Sequence, residues 1–271
     1  MKYKTLLLSL VWMLATPSVF GQKISLRDSA MAYFSAKPLS YTSAEWQTRV
    51  DSALKIDPTN DELWQQKAMP FLKNGDFGSW IKNIDKAVAL NPVHWLSYRG
   101  FCREIFMKDY ETAIKDYEAA EKIQPSEVHF VMDHTFDFYK SLCYFELKKP
   151  DLALLHIQKS VNWQLKNKGV DWTHYADFFY LAVAHFELKN WKLALENIDI
   201  CLTKYPQFPS ALYYKALILK ELGQKEKAVP FLINAKKYIA KGFYMNEDNE
   251  AYSNYPKQIG VHEIEKLLDE I

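Results

Sequence analysis

The sequence predicts an all-α fold, a solenoid of about five helix hairpins closed by a C-terminal capping helix. Three observations predict it. Small residues recur in register, at Ala113, Ala153, Ala194 and Ala228 and again seven residues on, at Ala120, Ser160, Cys201 and Ala235. Proline follows the second small position by five residues at Pro58, Pro92, Pro125 and Pro206. There are only eight glycines in 271 residues, and alternating apolar–polar runs are missing apart from Val128–Val131, so a turn-dense β fold is disfavoured. Hydrophobic residues make up 49% and charged residues 25%, a globular composition with ample apolar mass for a core.

The N-terminal residues 1–21 read as a secretory signal peptide. Lys2 and Lys4 precede an uncharged apolar run from Thr5 to Ala15, and Val19 and Gly21 stand at the minus-three and minus-one places before Gln22. The run is shorter than the roughly 20 residues a bilayer span needs, which disfavours an uncleaved anchor. Removing those two lysines from the 34 basic residues leaves 32 against 33 acidic ones. A chain so balanced lacks the concentrated positive face of a nucleic-acid reader. The expected location is periplasmic or secreted.

Residues 22–60 hold an N-terminal helix, Leu26 to Ala36, a loop at Lys37–Ser40, and a partial repeat around Ala53. Residues 61–240 hold the repeats. A third small position stands about twelve residues before the first, at Ala68, Ser141, Ala182 and Ala216. Two antiparallel helices approach closely only where side chains are small, so these positions mark helix crossings, and proline closes the second helix. If Gly100 is the crossing glycine of the second unit, one extra residue lies between it and Ala113. Trp80 stands where the other units have a small residue, and units two and three carry insertions around 126–134 and 163–174. Residues 241–271 are an acidic, Tyr-rich loop followed by a capping helix from Val261 to Ile271, where Ile264, Leu267, Leu268 and Ile271 share one face.

This pattern resembles the tetratricopeptide repeat family over roughly residues 43–240. The first full unit has Trp64, Ala68, Phe71, Gly75-Asp76-Phe77, Ala87 and Pro92, and the fourth has Phe178, Ala182, Trp191, Ala194, Cys201 and Pro206. The resemblance implies a right-handed stack whose first helices line a concave face. Equivalent first-helix positions are Tyr98, Phe138, Phe179 and Tyr213, and seven residues on come Ile105, Phe145, Phe186 and Lys220. An aromatic-lined trough would suit an extended peptide or a helix, while aromatics at helical spacing equally suit a buried core. The lysines and asparagines that the family's peptide clamps use are replaced here by Tyr, Phe and Leu, so capture of a C-terminal carboxylate is not expected.

His94, His134 and His174 recur at intervals of forty, each opening a first helix. Stacked units would hold them about 10 Å apart, a polar column at one rim of the groove that could take an anion, a carboxylate ligand or a metal, but not one shared ion without convergence. No metal and no cofactor is expected. The three cysteines, Cys102, Cys143 and Cys201, form no C-x-x-C pair and read as small buried residues. No G-x-S-x-G, phosphate loop or His-Glu zinc signature supports catalysis. The expected function is a non-catalytic scaffold for an unidentified protein or peptide partner, exported to the cell envelope. A structural subunit of an envelope complex and a small-ligand or carbohydrate binder are the competing readings.

Overall fold

The computed structural model describes residues 25–247 and 255–271. The expected leader lies outside them. Among the described residues there are thirteen α-helices and one two-residue ladder. A first pair, α1 (Leu26–Ser35) and α2 (Ala44–Ile56), is followed by five antiparallel hairpins. These are α3 (Asp61–Lys73) with α4 (Phe77–Leu90), α5 (Pro92–Cys102) with α6 (Tyr110–Ile123), α7 (Phe136–Glu146) with α8 (Pro150–Asn167), α9 (Tyr175–Glu187) with α10 (Trp191–Lys204), and α11 (Pro209–Glu221) with α12 (Lys225–Ala240). Helix α13 (Val261–Glu270) packs against α12 and covers the end of the stack with Ile264 and Leu267.

The small residues are the crossing points. Ala68, Ala113, Ala153, Ala182, Ala194, Cys201, Ala216, Ala228 and Ala235 are completely buried. Gly100 behaves the same way. A Cβ there would lie 3.1 Å from Asp116 Cβ and 3.2 Å from the Ala113 carbonyl oxygen, so any larger residue would have to push the neighbouring helix away by a few tenths of an ångström. The cysteines are buried and unpaired among the core side chains.

The turn inside each hairpin has one conformation. The residue five before the first small position is left-handed in every unit: Gly75, Lys108, Lys148, Lys189 and Gly223. In four units the chain closes with a Schellman pair. Lys149 N–H reaches the Tyr144 carbonyl and Lys148 N–H the Phe145 carbonyl, and the same pairing recurs at Asp76 and Gly75, at Asn190 and Lys189, and at Gln224 and Gly223. The second unit differs. Its extra residue is absorbed by a π-turn, Arg103–Met107, after which Asp109 N–H reaches back to the Arg103 carbonyl.

The two longer insertions also take definite form. The first makes the only ladder among the described residues, β1 (Phe130–Val131) antiparallel to β2 (His134–Thr135). The second extends α8 to Asn167 and adds a 3-10 turn at Val170–Trp172. Each insertion therefore ends on a histidine at or next to the cap of a first helix. Thr135 caps α7 by accepting from Phe138 N–H, and the His174 ring caps α9 by accepting from Ala176 N–H.

Candidate functional site: a C-terminal segment on the first helices

The expected trough is not open. Phe138, Phe145 and Phe179 are each 0% exposed. Phe138 stacks flat beneath the His134 ring at 3.8 Å, and Phe179 meets Phe208 and Tyr214 edge-on. Tyr98, Phe186 and Tyr213 are half-buried. Tyr98 accepts a hydrogen bond from the Gln65 side chain, and Phe186 packs on Trp191 and Tyr214. The reading of Phe138 and Phe179 as a partner-facing surface is corrected here, because they pack among core side chains where first helices in close register leave no free face. Phe145 is covered instead by the chain's own C-terminal segment.

The roof is the segment after α12, described at 243–247 and 255–260. It runs against α7, α9 and α11. Met245 and Tyr255 are buried. Lys257 Nζ sits 5.3 Å above the Phe145 ring and pairs with Glu187 at the end of α9. Much of the grip is on backbone atoms. Tyr180 donates its hydroxyl to the Pro256 carbonyl at 3.0 Å, and Tyr205 donates to the Tyr244 carbonyl at 3.0 Å. Tyr175 accepts from the Asn246 N–H at 2.7 Å, and Ser210 accepts from the Ile259 N–H at 3.3 Å. Main-chain hydrogen bonds with side-chain pockets between them are how grooves hold extended peptides.

Sequence reasoning chose Phe138 and Phe179 but passed over their neighbours Tyr139 and Tyr180, which are equally buried and carry hydroxyls. A hydroxyl on an otherwise apolar stripe was the available signal, since a buried Tyr O–H seeks a partner. Glu187, at the end of α9, pairs with Lys257, seventy residues on.

The histidines divide. His94 is exposed, edge-on to Trp95, and far from any shared site. His134 and His174 converge, with ring centroids 5.2 Å apart, well inside the helix-packing distance expected of a column. The reason is local. Both precede their helices, on β2 and at the cap of α9, where the insertions free them from the spacing of the helix axes. Between them sits Glu247 of the C-terminal segment, with Oε2 3.3 Å from His134 Nε2 and Oε1 3.6 Å from His174 Nδ1. On the other side of His134, Nδ1 lies 3.6 Å from Asp177 Oδ2. Asp177 is fully buried and its Oδ1 accepts from Ser160 and Gln164, each at 2.7 Å.

Burial opposes a charged His134, but the Asp177 and Glu247 carboxylates outweigh it and lift its pKa to about 9. Burial lowers the pKa of His174, and the neighbouring His134 adds to that against the pull of Glu247. Asp177 is held below the usual carboxylate range despite its burial, through His134, Ser160 and Gln164. A cavity of about 310 Å³ opens beside this cluster, lined in part by Asp133, Gln164, Lys168 and Trp172.

A second buried acid stands apart. Glu104, in the π-turn, accepts from the Tyr117 hydroxyl at 2.9 Å and is 2% exposed. Burial pushes its pKa up to about 8 against the hydrogen bonds of Tyr117 and Cys143.

Tetratricopeptide repeat models match residues 104–127 and 178–207, the first from the π-turn through α6 and the second across α9 and α10. The chain carries tetratricopeptide repeats. Solved repeat structures agree in fold at low identity. PilF of Pseudomonas aeruginosa is 15% identical with a TM-score of 0.60, covering 91% of this chain and 96% of its own. PilW, a type IV pilus biogenesis factor, is 15% identical at 0.58, covering 90% and 96%. MamA from Desulfovibrio magneticus RS-1 is 12% identical at 0.56, covering 67% and 96%. No curated protein sequence matches the chain. Among the described residues no helix is long and apolar enough to cross a membrane.

Proposed function

We propose that this repeat protein is a non-catalytic scaffold, exported to the cell envelope, that binds an extended peptide segment of a protein partner on the first helices of its third to fifth hairpins. The observation that carries this reading is the grip on the chain's own C-terminal segment. Tyr175, Tyr180, Tyr205 and Ser210 hold main-chain atoms, a mode indifferent to sequence, while Glu187 and the Phe145 face select a cation. A partner segment would reproduce what lies there now: an aromatic residue in a pocket, a proline, then Lys or Arg. The resident segment holds the surface until such a partner displaces it. Export rests on the leader-like residues 1–21.

The test is a displayed peptide library panned against the full chain and against Lys257→Glu, whose resident segment loses its hold on Glu187. Enrichment of aromatic-Pro-Lys/Arg peptides, stronger on Lys257→Glu and abolished by adding Glu187→Ala, is the expected result. No enrichment on any of the three proteins overturns the reading.

A further inference from the structure

The His134–His174–Glu247 cluster is more than a set of hydrogen bonds. One ligand-type atom from each residue, two imidazole nitrogens and a carboxylate oxygen, lies within 4.8 Å of the others, and a metal on His174 Nδ1 would take the lone pair that now accepts the long 3.4 Å hydrogen bond from Ala176 N–H. Glu247 has its side chain 8% exposed, and its Oε1 has no hydrogen-bond partner although it faces His174. A buried carboxylate oxygen without a donor is a standing cost, and a cation between the three groups removes it. The outer arrangement agrees. A metal-bound imidazole ordinarily offers its second nitrogen to a carboxylate, and His134 turns Nδ1 toward Asp177 while Nε2 turns toward Glu247. Asp177 is in turn fixed by Ser160 and Gln164, and Ser160 also receives the Thr135 hydroxyl at 2.8 Å. Phe138 beneath the His134 ring fixes its plane.

We propose that His134, His174 and Glu247 form a binding site for a divalent transition-metal ion, zinc fitting best, that staples the C-terminal segment to the repeats. Two nitrogens and one oxygen suit zinc, which takes three protein ligands and leaves a fourth place to water. That fourth place opens on the cavity beside Asn246 and Lys168. His94 is outside the site, so the histidine periodicity of the sequence yields one pair of ligands and not a column. The ligands come from two insertions and from a residue at least seventy positions further along the chain. Metal binding therefore joins α7 and α9 to the C-terminal segment and slows its release. The site stands on its own geometry, whether or not a partner peptide uses the surface beneath.

Zinc titrated calorimetrically into the full metal-stripped chain tests this. One equivalent is expected to bind, with His174→Ala and Glu247→Gln each weakening affinity by at least about ten-fold. Cobalt is expected to give visible d–d bands that both substitutions abolish. His174 is half-exposed and Glu247→Gln keeps the shape of its side chain, so circular dichroism is expected to be unchanged in both. Should either variant lose helicity, the other alone decides. Trypsin cleavage after Lys257 is expected to slow with zinc in the parent protein and not in Glu247→Gln. Absence of zinc binding by the parent chain overturns the site. Binding that both substitutions leave intact overturns it as well, and assigns the metal to other histidines.

Discussion

At the scale of single residues, the molecule stores acids where water does not reach. Glu104 is the clearest case, since burial outweighs the hydrogen bonds of Tyr117 and Cys143 and the pull of Lys108, and its pKa lies at about 8 against an ordinary 4.5. Between those values the folded chain holds a proton on Glu104 that the unfolded chain has released. Stability therefore falls as pH rises from about 4.5 through about 8. Glutamine keeps the neutral shape without the titration. Urea unfolding at pH 5 is expected to give similar stabilities for the parent and Glu104→Gln. At pH 8.5 the variant is expected to be more stable, by an amount on the order of a few kcal/mol. The difference between the two proteins isolates Glu104 from other titrating groups such as His134. Equal pH slopes would show that Glu104 is already ionised in the folded chain.

Among the elements, the hairpin turn is the repeated device. Its left-handed residue is glycine in the first and fifth units but lysine in the second, third and fourth. A side chain in that conformation costs about 1 kcal/mol or more that glycine avoids. Lys189 is exposed, and its turn is closed by backbone hydrogen bonds that need no side chain. Lys189→Gly is thus expected to raise stability by about 1 kcal/mol, or roughly 2–4 °C in Tm. A fall in the melting temperature would mean that the lysine has a role its backbone does not reveal. The same elements show how far the sequence could be read. Small residues at fixed intervals located the crossings except where Trp80 stands in the first full unit, because Ala, Gly, Ser or Cys lets two helix backbones approach closely. The single extra residue after Gly100 foretold a local irregularity, and it is the π-turn. The form of the longer insertions was not legible. A two-residue ladder and one added helical turn carry no periodicity, so nothing in 126–134 or 163–174 announced that His134 and His174 would meet.

For the molecule as a whole, what the sequence concealed is the C-terminal segment. Residues 243–247 and 255–260 contain neither a helical stripe nor an alternating pattern, and their partners are remote. Asn246 meets Tyr175 seventy-one residues away and Pro256 meets Tyr180 seventy-six away. Composition marked the segment as a loop, which is right for its backbone and silent about its position. The aromatic stripe lies on α5, α7, α9 and α11. Which of its rings are core and which are hands depends on the segment lying over them: Phe138 and Phe179 fill the interior, while Tyr175, Tyr180 and Tyr205 reach out to a main chain. The solenoid thus presents a surface for an extended chain and already holds one.

Hydrogen–deuterium exchange on the intact protein tests that claim most directly. The Asn246 and Ile259 amides donate to Tyr175 and Ser210, so they are expected to exchange well below the rate of an unstructured chain and to speed up in Lys257→Glu. Exchange of both amides at the free-chain rate in the parent protein would contradict the account, because the repeats would then present a bare surface and the grip would not exist.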